Sequence, residues 1–123
     1  MDRVTDYSAD QKQRALVPIA SLISKSEQAQ QKLASGTWQH MMLDRNLDAL
    51  RTATTLMGAA GGEAAVSSDE LTASLDTLAA LIERLAATEA KFAPGTSQHS
   101  LQRNRLEALR VARATVEAEL QNR

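Results

Sequence analysis

Leu71, Leu75, Leu78, Ile82, Leu85 and Phe92 recur at alternating steps of four and three, and Glu89 is the one interruption. That spacing sets them on one side of an α-helix, the seam of a helix that packs against near-parallel neighbours. Ser67 with Glu70 three residues on is a capping-box pattern. Asp69 and Glu70 add the negative charge that a first turn favours. Pro94-Gly95 stops the helix, because proline cannot continue it and disfavours helical geometry in the residue before. One amphipathic helix cannot bury such a seam alone, so the rest of the chain must supply its partners.

Three further stretches do so. Helix 1 is expected over about 8–35, with Leu16, Ile19, Ala20, Ile23, Ala29 and Leu33 as its apolar stripe and a kink at Pro18; the alternatives are a loosely attached segment over 8–16 or a helix that begins near Val17 with Pro18 in its first turn. Ser35-Gly36-Thr37 is a short link in which Gly36 takes the left-handed conformation and Thr37 caps the next helix. Helix 2 is expected over about 37–60, with Leu43, Leu47, Leu50 and Met57 on one face. Gly58 and Gly61-Gly62 end it. Helix 3 spans about 67–93. Helix 4, about 97–120, carries a thinner stripe of Leu101, Leu106, Leu109, Ala112, Val116 and Leu120. The pattern shows no internal repeat. It predicts an all-α fold: one domain over 1–123, an antiparallel bundle of three to four helices whose C-terminal helix is able to move.

Composition narrows the function classes. Aromatics make up 2% of the 123 residues, against 43% hydrophobic residues overall; that favours helices over a β-fold. The net charge of −1 gives no global case for nucleic acid or an anionic membrane. No cysteine means no disulfide framework or thiolate zinc site, which fits a cytoplasmic protein. The N-terminus lacks a signal-peptide pattern, and the most apolar early run, 15–24, is too short to span a bilayer.

Catalytic chemistry is not evident. His40 and His99, the two histidines, have no metal-ligand spacing, and Gly58-Ala-Ala-Gly-Gly-Glu63 lacks the Lys-Ser/Thr of a phosphate loop. We expect no catalytic residues, no metal and no cofactor. In residues 67–93 five acids face two bases, and in 96–123 five arginines face three acids, so helices 3 and 4 carry −3 and +2. Trp38, Met41, Met42 and Met57 form a stripe that is ordinarily core. The alternative is an adaptable protein-binding surface, because thioether side chains repack around different partners.

Residues 22 to 38, Leu-Ile-Ser-Lys-Ser-Glu-Gln-Ala-Gln-Gln-Lys-Leu-Ala-Ser-Gly-Thr-Trp, resemble the first helix and turn of the FliT family of flagellar export chaperones. The match is the order Leu22, Lys25-Ser26, Leu33-Ala34, then Trp38 opening the next helix. The resemblance covers residues 16–92, and helix 4 matches least. It implies a non-enzymatic chaperone and adaptor. Such a protein binds the filament-cap protein FliD before export, brings it to the export ATPase complex, and can bind the FlhDC regulator. It also implies a C-terminal helix that covers the client groove. On that expectation Leu43, Leu47, Leu50, Leu75, Leu78, Ile82 and Leu85 are the partner-binding set, some of which must instead hold the bundle together, and Leu101, Arg105, Leu109 and Val116 belong to the regulatory helix. Two other classes stay open: a structural or dimerising bundle with helix 4 as permanent core, and a nucleic-acid-binding regulator acting through arginines such as Arg105 and Arg110. Monomer or homodimer is also open.

Overall fold

In the computed structural model residues 7–58 and 66–122 are described. They form four helices: α1, Ala9–Gln31; α2, Trp38–Gly58; α3, Ser68–Glu89; and α4, Ser97–Gln121. The fold is an all-α, antiparallel four-helix bundle. Neighbours in sequence are neighbours in space, α4 closes the ring against α1, and α2 also meets α4 across the middle; α1 and α3 do not touch. Ala59, Ala60 and the Gly61-Gly62 link lie outside the described residues.

The starts of the helices are where their capping chemistry puts them. Ser67 Oγ accepts from the Glu70 N–H at 3.1 Å, and Glu70 Oε1 accepts from the Ser67 N–H at 2.9 Å. Two of the N-terminal orphan donors are thereby satisfied. Ser8 and Gln11 make the same box at the head of α1. That helix then runs through Pro18 without ending. The ends come earlier than expected, at Gln31 and Glu89, because each closes into a tight turn around a glycine with positive φ, 86° at Gly36 and 91° at Gly95. An L-residue would be strained there.

Contrary to expectation, the chain contains an internal repeat. At an offset of fifty-nine positions, seventeen of the fifty-one residues from 8 to 58 are identical, with no gap. Lys32-Leu-Ala-Ser-Gly-Thr-Trp-Gln-His40 answers to Lys91-Phe-Ala-Pro-Gly-Thr-Ser-Gln-His99. The structure repeats with it. Ser8 pairs with Ser67 as N-cap and Gly36 with Gly95 as the left-handed turn. Thr37 pairs with Thr96, and each Oγ1 accepts from the backbone three residues on, at His40 and His99. Exchanging α1 with α3 and α2 with α4 turns every helix contact into another existing one. The bundle is two equivalent αα-hairpins related by a pseudo-two-fold axis. Helical periodicity alone hides the repeat, since any four amphipathic helices share it; comparison of the chain with itself reveals it.

The core follows the repeat and corrects the expectation for α4. The six buried residues of α2 are Asn46, Leu47, Ala49, Leu50, Ala53 and Met57. Their counterparts Arg105, Leu106, Ala108, Leu109, Ala112 and Val116 are all buried in α4, which adds Gln102, Val111 and Ala114. With nine buried residues α4 is the most enclosed helix, not the thinnest. The leucine series of α3 is fully buried at Leu71 and Leu78; Leu75, Ile82, Leu85 and Phe92 are half-buried. Four buried alanines, Ala49, Ala53, Ala108 and Ala112, give α2 and α4 the small side chains that a close diagonal approach needs.

Candidate functional site

The residues expected to bind a partner divide by burial. Leu47, Leu50 and Leu78 are core, each 2% exposed or less, and are unavailable to a client in this packing. Leu43, Leu75, Ile82 and Leu85 are half-buried. Among the residues assigned to a regulatory helix, Leu109 and Val116 are core and Arg105 is 9% exposed, whereas Leu101 is exposed. In this packing α4 inserts these side chains between its neighbours.

Arg105 is an unusual core residue. Its Nη2 donates to Ser21 Oγ at a long 3.4 Å, and its buried Nε has no acceptor. Burial of a guanidinium with so little compensation costs free energy. Its counterpart Asn46 is also buried and polar. The inward turn of Arg105 leaves Arg103, Arg110 and Arg113 exposed on α4, with Arg110 3.6 Å from Glu107. That is a mixed, solvated face rather than a basic strip.

The polar contacts of each hairpin close its own turn. In the first, Gln30 Nε2 donates to the His40 carbonyl at 3.2 Å and to Asp44 Oδ1. In the second, Glu89 stands at the position of Gln30, and its carboxylate lies 3.7 Å from His99 Nε2. Glu89, the break in the leucine series, thus faces His99 across the turn of its own hairpin. Lower down, Arg51 Nη2 donates to Glu27 Oε2 at 2.6 Å. Among the described residues no three His, Cys, Asp or Glu side chains are grouped to hold a metal ion. No described helix is long and apolar enough to cross a membrane.

The repeat also organises the concave surfaces. A groove of about 470 Å³ lies between α2 and α3, lined by Arg45, Asp48, Thr52, Glu70 and Thr77 among others. Its counterpart of about 580 Å³ lies between α1 and α4, lined at the matching positions by Asn104, Glu107, Val111, Gln11 and Pro18, with Tyr7 and Val17. A smaller cavity of about 170 Å³ is lined by Leu22 and Leu81 and by Leu50 and Leu109, two pairs of counterparts, and so lies about the pseudo-axis.

The methionine and tryptophan stripe splits. Met57 is core and Met42 half-buried, but Trp38 is 71% exposed and Met41 48% exposed. They stand three residues apart in the first turn of α2, on one face of the helix. The second hairpin is an internal reference for these positions. In the same capped first turn it carries Ser97 and Ser100, both exposed. The fold therefore does not require an apolar side chain at either place. The sequence pattern leaves core and adaptable binding surface open for this stripe, and the substitution between the repeats is the signal that separates Trp38 and Met41 from Met57. Comparison with protein-family models, with curated proteins and with solved structures finds no match for this chain.

Proposed function

We propose that the chain is a non-enzymatic protein-binding bundle, and that an apolar segment of a partner protein docks on its turn end around Trp38 and Met41. The observation that carries this reading is the exposure of these two side chains where the equivalent positions hold serine. Leaving an indole and a thioether in water brings the fold nothing, whereas tryptophan is enriched among the residues that dominate binding energy. Methionine adapts its shape to a partner. The exposed Leu101 stands near the start of α4, at the same end of the bundle.

The resemblance to the FliT family supplies the finer identity. On that reading the docked segment is the C-terminal part of the filament-cap protein FliD, held in the cytoplasm before export, with the export ATPase complex and FlhDC as further partners. Docking at this end does not require α4 to leave. A cover that peels away is therefore not part of this proposal. The burial of α4 favours a second reading, a purely structural bundle without a client.

Trp38 is the chain's one tryptophan, so its fluorescence reports the proposed site directly. Titration with the FliD C-terminal segment is expected to shift its emission to the blue as the ring leaves water. Replacing both residues by their counterparts, Trp38→Ser with Met41→Ser, is expected to weaken binding at least about tenfold, roughly 1.4 kcal/mol, read by calorimetry. The melting temperature should stay within about 2 °C. No spectral shift and no heat of binding from the folded protein would overturn the FliD assignment. Undiminished binding by the double variant would overturn the site.

A further inference from the structure

Polar and apolar contacts are distributed differently within and between the two hairpins. In the first hairpin, hydrogen bonds tie helix to helix, Gln30 to Asp44 and Arg51 to Glu27, and in the second the Glu89 carboxylate lies 3.7 Å from His99 Nε2. Between them the described polar contacts are Arg84 Nη1 to Met42 Sδ at 3.7 Å and Arg105 Nη2 to Ser21 Oγ at 3.4 Å. What crosses from hairpin to hairpin is mainly apolar burial. It is quasi-isologous: Leu50 answers to Leu109, Leu22 to Leu81 and Ala53 to Ala112. A patch that meets its own counterpart about a two-fold axis is the geometry of a homodimer interface. Here the two partners are joined by a single stretch, 59–67, between Gly58 and Ser68.

We propose that the face each hairpin turns to the other is an exchangeable dimerisation surface, and that its partner is the complementary hairpin of a second copy of this chain. Each hairpin holds its own turn, so it can leave one neighbour and meet an equivalent one with every interface preserved. Exchange of an identical element between protomers costs little when the contacts inside and between chains are the same, and the connecting stretch sets the balance. A short-range return along the same chain favours the monomer. A connection that cannot turn back favours the dimer. The exchanged dimer carries two Trp38–Met41 ends, which gives a bivalent form of the protein whatever the docked partner is.

A variant lacking residues 59–67 and carrying Gly58→Ala joins α2 to α3 as one helix. The two helices have 21 and 22 residues, so the joined helix is roughly 65 Å long at about 1.5 Å per residue. Its two hairpins then point away from each other. The expected result is a dimer by light scattering, with the helical content of the parent by circular dichroism. A folded monomer would overturn the proposal. Should this variant fail to fold, a pair of full-length chains decides. Leu50→Asp disables the first hairpin and Leu109→Asp the second, and each chain alone is expected to lose helicity. Mixed from denaturant, the two are expected to regain helicity as a one-to-one complex built on the two intact hairpins. No gain on mixing would overturn the proposal.

Discussion

A chain that ends at Gly95 is expected to unfold. The truncation removes all nine buried residues of α4 and uncovers the sides of α1, α2 and α3 that it touches. Leu106, Leu109, Val111 and Val116 are each 6% exposed or less. Full burial of such a side chain contributes about 1.5–3 kcal/mol. Four of them, with the core they cover, are comparable to the whole stability of a domain, about 5–15 kcal/mol. Circular dichroism should show the loss of most helical signal and of any cooperative melt. A truncated chain that keeps a sharp transition would mean that α1, α2 and α3 close on themselves, as a detachable cover requires.

Leu50→Ala and Leu109→Ala are expected to destabilise the protein by similar amounts, about 2–5 kcal/mol each. Both side chains are 2% exposed or less, and both line the cavity about the pseudo-axis. The corresponding fall in melting temperature is on the order of 10 °C. The double variant should depart from additivity by more than about 0.5 kcal/mol, since both truncations enlarge one space. Denaturant unfolding measures all three. A marked inequality, with Leu50→Ala costly and Leu109→Ala nearly free, would separate α4 from the core.

The elements themselves were legible in the sequence. Ser67 with Glu70, Gly36 with Thr37, and Pro94-Gly95 mark helix starts and turns through chemistry that acts within a few residues. The depth of α4 was not legible. Beyond the expected Leu106, Leu109, Ala112 and Val116, the helix buries Gln102, Arg105, Ala108, Val111 and Ala114, which lie outside the apolar stripe. Small side chains gain burial only when a neighbouring helix comes close, and that approach is decided by the opposite face, here Ala49 and Ala53 of α2. The candidate site was half legible. Trp38, Met41, Met42 and Met57 lie in one helix and look alike as a pattern. What separates them is where the first turn of α2 stands relative to the rest of the bundle, together with the serines of the second hairpin. The leucine pattern of α2 and α3 does not say which side chains serve the core and which a client; Leu47, Leu50 and Leu78 are core in this packing, because a helix facing two neighbours uses its leucines on both.

Native-state hydrogen exchange tests most directly the claim that α4 is a permanent member of a two-fold bundle. The amides of Leu106, Leu109, Ala112 and Val116 are to be compared with those of their counterparts Leu47, Leu50, Ala53 and Met57. The expected result is equal protection in both sets, with exchange only through global unfolding. Exchange of α4 through a much smaller opening free energy, while α2 stays protected, would contradict the claim and restore α4 as a detachable element.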